Sequence, residues 1–260
     1  MFESENIMKM CVIITPPKEK LRESISFAIN ERADNASSSV EMENLSNSTH
    51  ESDVLELALT TRKLWKNGRT LHVRFLNGDT VVQEKIMHWA KEWEKYANIK
   101  FSFDIKPDAE IRVSIGGDNS SWSTVGTDAL TVQKEEATTH FGWLTPTTPD
   151  DEVSRVVLHE FGHVLGCIHE HQNPDAQIHW DQEAVFEYFR RTQGWDDKTI
   201  EHNIFETESA SLTNFSKFDK DSIMLYSFPP ELTTDHKGTP MNRTLSKTDK
   251  EFMKKMYPHN

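Results

Sequence analysis

The chain has 260 residues, 36% of them hydrophobic, with seven tryptophans, enough to bury the core of one sizeable domain split by a cleft. Its formal net charge of −13 argues against nucleic acid or an anionic membrane as partner, because phosphate binding needs a basic surface that displaces counterions. Two cysteines in distant segments, Cys11 and Cys167, provide no disulfide framework, and no stretch approaches the apolar length of a membrane span. The most apolar N-terminal run, residues 11–14, is too short for a signal-peptide core, so a cytoplasmic location or a non-classical export route is expected. A monomer is expected.

Residues 1–60 differ in character from the remainder and are read as an N-terminal extension. The part before Leu55 holds ten acidic residues against five basic ones, and residues 35–53 are rich in Ser, Asn and Glu without aromatics. This composition reads as mobile. A short helical pattern at Leu21, Ile25, Phe27 and Ala28 can dock on the rest of the chain. A solvated tail and a pro-segment therefore both stay open.

From Leu64 the pattern is that of a folded domain, residues 61–260. Residues 71–75 read as a first strand, with Asn77-Gly78-Asp79 turning it into a helix. Val82, Ile86, Trp89, Trp93 and Tyr96 recur at spacings of four, three, four and three, with Thr80 and Gln83 as a capping box. Strands follow at 99–105 and 110–115. Residues 116–126, rich in Gly, Ser, Asn and Asp, read as a loop, and 138–144 as another short strand. Residues 147–152 then cap a helix carrying Val153, Val156 and Val157. Helix beside sheet makes the fold class α+β.

That helix runs into His159-Glu160-Phe161-Gly162-His163-Val164-Leu165-Gly166-Cys167-Ile168-His169, which fills every fixed position of H-E-x-x-H-x-x-G-x-x-H. His159 and His163 stand one turn apart on one face, so both imidazoles can reach a single ion while Glu160 projects beside them. Gly166 can end the helix with positive φ and swing His169 back as a third nitrogen ligand. Three protein ligands leave a fourth position open, the arrangement of one catalytic Zn2+ rather than a structural one. The bare H-E-x-x-H has a chance expectation of roughly one in twenty here; the extended string lowers it to about one in ten thousand. His171 and His179 follow closely, but three nitrogens suffice, so both are expected at the surface or beside the ligands rather than on the metal.

On these residues the chain resembles the astacin-like zinc metallopeptidases of the metzincin clan. Ser222-Ile223-Met224-Leu225-Tyr226 looks like the methionine-containing turn of that clan, and Glu170 directly follows the third histidine as in astacins. A serralysin-like relationship is second choice, because the glycine-rich calcium repeats are absent. The resemblance covers roughly residues 64–258, beginning at Leu64-Trp65-Lys66-Asn67-Gly68-Arg69 and closing with a helix that leads from Leu245-Ser246-Lys247-Thr248-Asp249 to Met256-Tyr257-Pro258. It departs from the family in lacking the paired disulfides and in having Leu225 where many members have histidine.

What the resemblance implies is specific. The fold would be a twisted mixed sheet with two long helices, one carrying the zinc motif, above the cleft, and a smaller irregular C-terminal subdomain ending in a helix. Tyr226 would be a displaceable fifth ligand able to hydrogen-bond an oxyanion, and Met224 a packing floor beneath the ligands. An edge strand just before the zinc helix would pair with extended substrate, which points to Thr139, His140, Phe141, Gly142 and Trp143. Zymogens of the clan block zinc with a Cys or Asp, making Cys11, Asp34 and Asp53 candidates. Glu170 would anchor a freed N-terminus after cleavage, or else orient a ligand. The expected function is zinc-dependent hydrolysis of internal peptide bonds in extended protein or peptide substrates, with Glu160 as general base. The rival is a catalytically silent, zinc-containing peptide-binding module, against which the intact set of three histidines, Glu160 and Tyr226 speaks.

Overall fold

The structure, a computed structural model, describes residues 9–36, 58, 61–207 and 217–259. In chain order the main elements are β1 (Cys11–Ile14), α1 (Leu21–Glu31), β2 (Thr70–Phe75), α2 (Thr80–Ala90), β3 (Lys100–Phe103), β4 (Ile111–Ile115), β5 (Ser121–Thr124) and β6 (Thr139–Phe141). They are followed by α3 (Asp150–Val164), α4 (Gln182–Gln193), the one-turn α5 (Asp197–Ile200) and α6 (Lys247–Met256). The strands form one mixed sheet in the order β1-β5-β6-β4-β2-β3, parallel throughout except that β5 runs antiparallel to β6. Among the described residues no helix is long and apolar enough to cross a membrane.

Alternation explains the central strands. Leu71 and Val73 of β2, and Ile111, Val113 and Ile115 of β4, point into the core. Arg112 between them is buried too, and its guanidinium donates to the carbonyls of Ala109, Glu110, Val132 and Glu136 at 2.7–3.3 Å, so each of its three nitrogens is hydrogen-bonded. Gly78 takes φ 104° at the turn after β2, where a Cβ would strike Ile115. The expected capping box at Thr80 is not formed. Asp79 is the N-cap, its carboxylate accepting from Val81 N–H at 2.8 Å, and Gln83 instead donates to the carbonyls of Asn77 and Gly78.

Two further expectations are corrected by long-range pairing. The polar segment 116–126 contains β5, because Ser121–Thr124 pair with β6 on one side and with β1 on the other. Ser123 and Thr139 meet hydroxyl to hydroxyl at 3.1 Å across that ladder. Strand β6 is consequently internal rather than an edge, bonded to β4 and β5 along both sides.

The zinc-motif helix α3 lies across the sheet beside α2 in the main core. Asp150, Asp151 and Glu152 occupy its first turn, where the helix dipole favours anions, although its N-cap is Pro149 without a side-chain bond. Its last carbonyls are satisfied by buried donors: Trp65 Nε1–H to Val164 O at 2.7 Å and Tyr257 O–H to Leu165 O at 2.8 Å. Trp93 Nε1–H donates to Leu158 O about two turns earlier, at 3.0 Å.

The described N-terminal residues pack onto this domain at two places. Strand β1 adds to the free side of β5. On another face α1 buries Ile25 and Ala28, and Ser24 hydrogen-bonds Asp128 at 2.5 Å beside Lys63. Buried Asn35 bonds the backbone of both Ala28 and Leu64 at 2.8–3.0 Å. Most of the polar stretch expected to be mobile, residues 37–53, lies outside the described residues.

Candidate active site

Helical spacing and one glycine assemble the site. His159 and His163 project from the same face of α3, the helix stops at Leu165, and Gly166 at φ 92° reverses the chain so that His169 returns. The three Nε2 atoms converge: His163 lies 3.2 Å from His159 and 3.1 Å from His169. All three rings are buried. Nδ1–H of His159 donates to Ile223 O, and Nδ1–H of His163 to Cys167 O, both at 2.8 Å, which leaves their Nε2 lone pairs facing one another.

Three converging lone pairs in a buried cage repel unless a cation lies among them, and burial holds the imidazoles in the neutral form that binds metal. His163 is lowered to about 4, and His159 and His169 are also lowered, by desolvation. Neutral nitrogens with no cysteine among the three fit a zinc ion of catalytic type. Both carboxylate oxygens of Glu160 and the phenol of Tyr226 are also buried here with no hydrogen bond, the Cys11 thiol lying within 4.8 Å of the Glu160 carboxylate. Burial pushes Glu160 up to about 8 and raises Tyr226 well above its ordinary value. A dication beside Glu160 would draw its carboxyl back toward ionisation.

The methionine turn forms the floor. Met224 packs under Gly162 so closely that a methyl there could not fit without displacement. Tyr226 stacks over His159 (5.7 Å, 17°) and His171 (4.8 Å, 23°) and touches His169 (4.1 Å between centroids). The turn is held by Asp249 of α6, which accepts from Ser222 Oγ (2.7 Å) and from the N–H groups of Ile223 (2.9 Å) and Ser246 (2.8 Å). Asp249 is a site residue that sequence reasoning missed. Its Ser-x-x-Asp spacing signals a helix cap, and a cap is present, but nothing local announces the contact with residues 222 and 223.

Other expected residues sort clearly. Glu170 accepts from Asp219 N–H (2.9 Å) and Asn173 Nδ2 (3.1 Å), while its own N–H donates to Met224 O (3.0 Å), so it ties the third ligand to the methionine turn. Burial raises its carboxyl to about 7. His171 is buried beside Tyr226 with Nε2–H on Asn203 O, and His179 is exposed; neither joins the triad. Of the blocking candidates, Cys11 is buried with its thiol within 4.8 Å of the ligand atoms of His159 and Glu160. Asp34 is exposed and paired with Arg32 at 2.6 Å, whose Nη1 donates to Met256 O, so it is not a ligand; Asp53 lies outside the described residues.

The substrate-strand assignment needs correction. Thr139, His140 and Phe141 form internal β6, which has no free backbone edge to offer a peptide. Gly142 is sealed in as well, its N–H on Ser120 O at 2.8 Å and a Cβ excluded by Asp118 and Ser120. None of the five lines the cleft; Trp143 approaches it, its Nε1–H on the cleft-lining Glu152 at 3.0 Å and its ring centroid 5.4 Å from Lys9 Nζ. The cleft measures about 690 Å³ and is lined by Lys9, Cys11, Glu152, Arg155, His159 and Tyr226 among others.

Solved structures share this fold. Two structures of myroilysin match, one at 41% identity with a TM-score of 0.74, covering 76% of this chain and 97% of that one, the other at 39% with a TM-score of 0.62, covering 76% and 86%. High choriolytic enzyme 1, a hatching enzyme zinc-protease from the medaka fish Oryzias latipes, shares the fold at 15% identity, with a TM-score of 0.50 over 74% of this chain and 92% of that one. No family model matches the chain, and no curated protein matches it. Fold and site together define a zinc metallopeptidase of the metzincin clan. The chain belongs to the astacin-like branch of that clan and is a zinc metalloendopeptidase.

Proposed function

We propose that the chain cleaves internal bonds of extended peptides with Glu160 as proton carrier and Tyr226 as oxyanion donor. The convergence of three buried imidazole nitrogens beside two unpartnered carboxylate oxygens carries this reading. Those imidazoles would hold a single zinc ion, which when bound would supply Lewis acidity to the scissile carbonyl and lower the pKa of a water toward neutrality. Glu160, ionised beside such a charge, accepts the proton as the water attacks and delivers it to the leaving amine. Tyr226 has a buried O–H with no protein acceptor, so it can donate to the oxygen on which charge develops. Incubating the full-length protein with a complex peptide mixture, with and without a chelator, and sequencing the new termini tests the reading: chelator-sensitive internal cuts are expected, and none would refute it.

We further propose that the N-terminal segment restrains the enzyme. Strand β1 covers the side of β5 where a substrate strand would pair, and Cys11 stands beside His159 and Glu160. Burial holds the Cys11 thiol protonated, but a tethered thiol that gave up its proton to a metal would act at high effective concentration and compete with substrate there. Cys11→Ser in the full-length chain should raise kcat/KM at equal zinc loading. Equal efficiency of the two proteins would refute the restraint.

A further inference from the structure

Lys9 sits at the mouth of the cleft in a setting that the blocking contact does not explain. Its Nζ lies 5.4 Å from the ring centroid of Trp143, within cation–π range, and its charge acts on the Glu152 carboxylate. The receiving groups are rigidly built. Trp143 is 8% exposed, and its Nε1–H is fixed on Glu152 Oε1 at 3.0 Å. Arg155, one turn before His159 on α3, binds the same carboxylate through Nε and Nη2, both at 2.8 Å.

The position of Lys9 relates this pocket to the chemistry. Ser121 N–H donates to Met10 O at 3.1 Å, so the strand pairing of β1 extends back to Met10. In an extended segment residues two apart share a face, at roughly 6.6–6.8 Å. Lys9 therefore shares a face with Cys11, the residue beside His159 and Glu160. A side chain placed where Lys9 lies would belong to a residue next to the reacting bond or one removed, on the side away from the β5 ladder.

Charge selects the occupant. The π face of an indole attracts cations and repels anions. Arg155 already lies over the Trp143 ring, its Cζ 5.9 Å from the centroid, and has two of its nitrogens committed to Glu152, so the same indole and carboxylate hold one cation beside Lys9. The net charge of −13 adds a long-range field in the same direction.

We propose that Trp143 and Glu152 form a substrate subsite for a lysine or arginine side chain close to the scissile bond, and that Lys9 occupies it in this structure. The inference rests on the peptidase reading for its meaning, but the pocket itself can be tested separately. In the full-length chain, the rate at which a thiol reagent labels Cys11, followed by mass spectrometry of the Cys11 peptide, reports release of the segment. Lys9→Met should speed labelling by about threefold to thirtyfold, and by less than twofold when Glu152→Gln is also present. Gln keeps an acceptor for Trp143 while removing the charge. Equal labelling of Lys9→Met and the parent, or an acceleration that persists in Glu152→Gln, would overturn the subsite.

Specificity is read with the full-length chain carrying Lys9→Ser and Cys11→Ser, on peptides that differ only by Lys, Gln or Glu at each of three positions on either side of the cut bond. One position on one side should favour Lys over Gln by at least about fivefold, with the preference flattened by Glu152→Gln. Cleavage without such a position overturns the proposal. Absence of any cleavage counts against the peptidase reading, and the labelling cycle then decides the subsite by itself.

Discussion

Replacing Gly162 by alanine tests how tightly the methionine turn supports the zinc helix. The added methyl would lie 3.2 Å from Met224 Cε, closer still to its sulfur, and 3.5 Å from Trp93 Cζ2. Trp93 cannot retreat, being buried and bonded to Leu158 O. The Met224 side chain can swing, but its backbone is pinned, the N–H on Ser222 Oγ at 3.1 Å and the carbonyl on Glu170 N–H at 3.0 Å. Two magnitudes compete. Alanine favours the helix by about 1 kcal/mol over glycine, while overpacking a filled core costs about 1–3 kcal/mol. The net expectation runs from no change to a loss of about 2 kcal/mol. Weaker zinc retention should accompany it, because Ile223 O, which orients His159, belongs to the same turn. Met224→Ala alone should cost about 2–5 kcal/mol through the cavity it leaves. The double variant Gly162→Ala/Met224→Ala should then be more stable than the sum of its parts by at least about 1 kcal/mol, since the new methyl fills part of that space. Denaturant titration of the four proteins, with zinc release followed by a chromogenic chelator, reads both quantities. A Gly162→Ala protein stabilised by the full helix-propensity gain, with additive energies in the cycle, would refute the tight contact.

The same geometry sets three other outcomes. Glu160→Ala should keep one zinc per chain and lose nearly all hydrolysis, because the three imidazoles remain while the proton acceptor goes; elemental analysis beside a rate measurement separates the two. Tyr226→Phe should leave zinc content and KM nearly unchanged and lower kcat by roughly ten- to a thousandfold, as for loss of one oxyanion donor; faster zinc loss with rescue by excess zinc would assign the phenol to metal retention instead. Asp249→Ala should cost about 2–5 kcal/mol in denaturant titration, since it strands the buried Ile223 N–H and Ser222 hydroxyl, and Asp249→Asn should recover part of the loss.

The converging histidines are legible in the sequence because the relation that brings them together is local. His159 and His163 meet through helix pitch and His169 through the left-handed conformation open to Gly166, so one short stretch of chain contains the geometry. The stripe from Val82 to Trp93 is legible for the same reason, and the closing helix follows from the family resemblance. Strand neighbours are a different matter. A run such as Ser121-Trp122-Ser123-Thr124 has no apolar period of its own and becomes a strand only because β1 and β6 offer it partners. For that reason the family resemblance points to an edge at β6, whereas β5 in fact lies outside it. Cys11, with Lys9 before it, reaches the site from about 150 residues away in sequence, and the turn holding Tyr226 rests on an acid from the last helix. Local spacing determined which atoms could bind the metal; only tertiary packing, which joins segments with no covalent neighbourhood, decided that β5 lies outside β6 and that residues 11–14 of the same chain cover its other side.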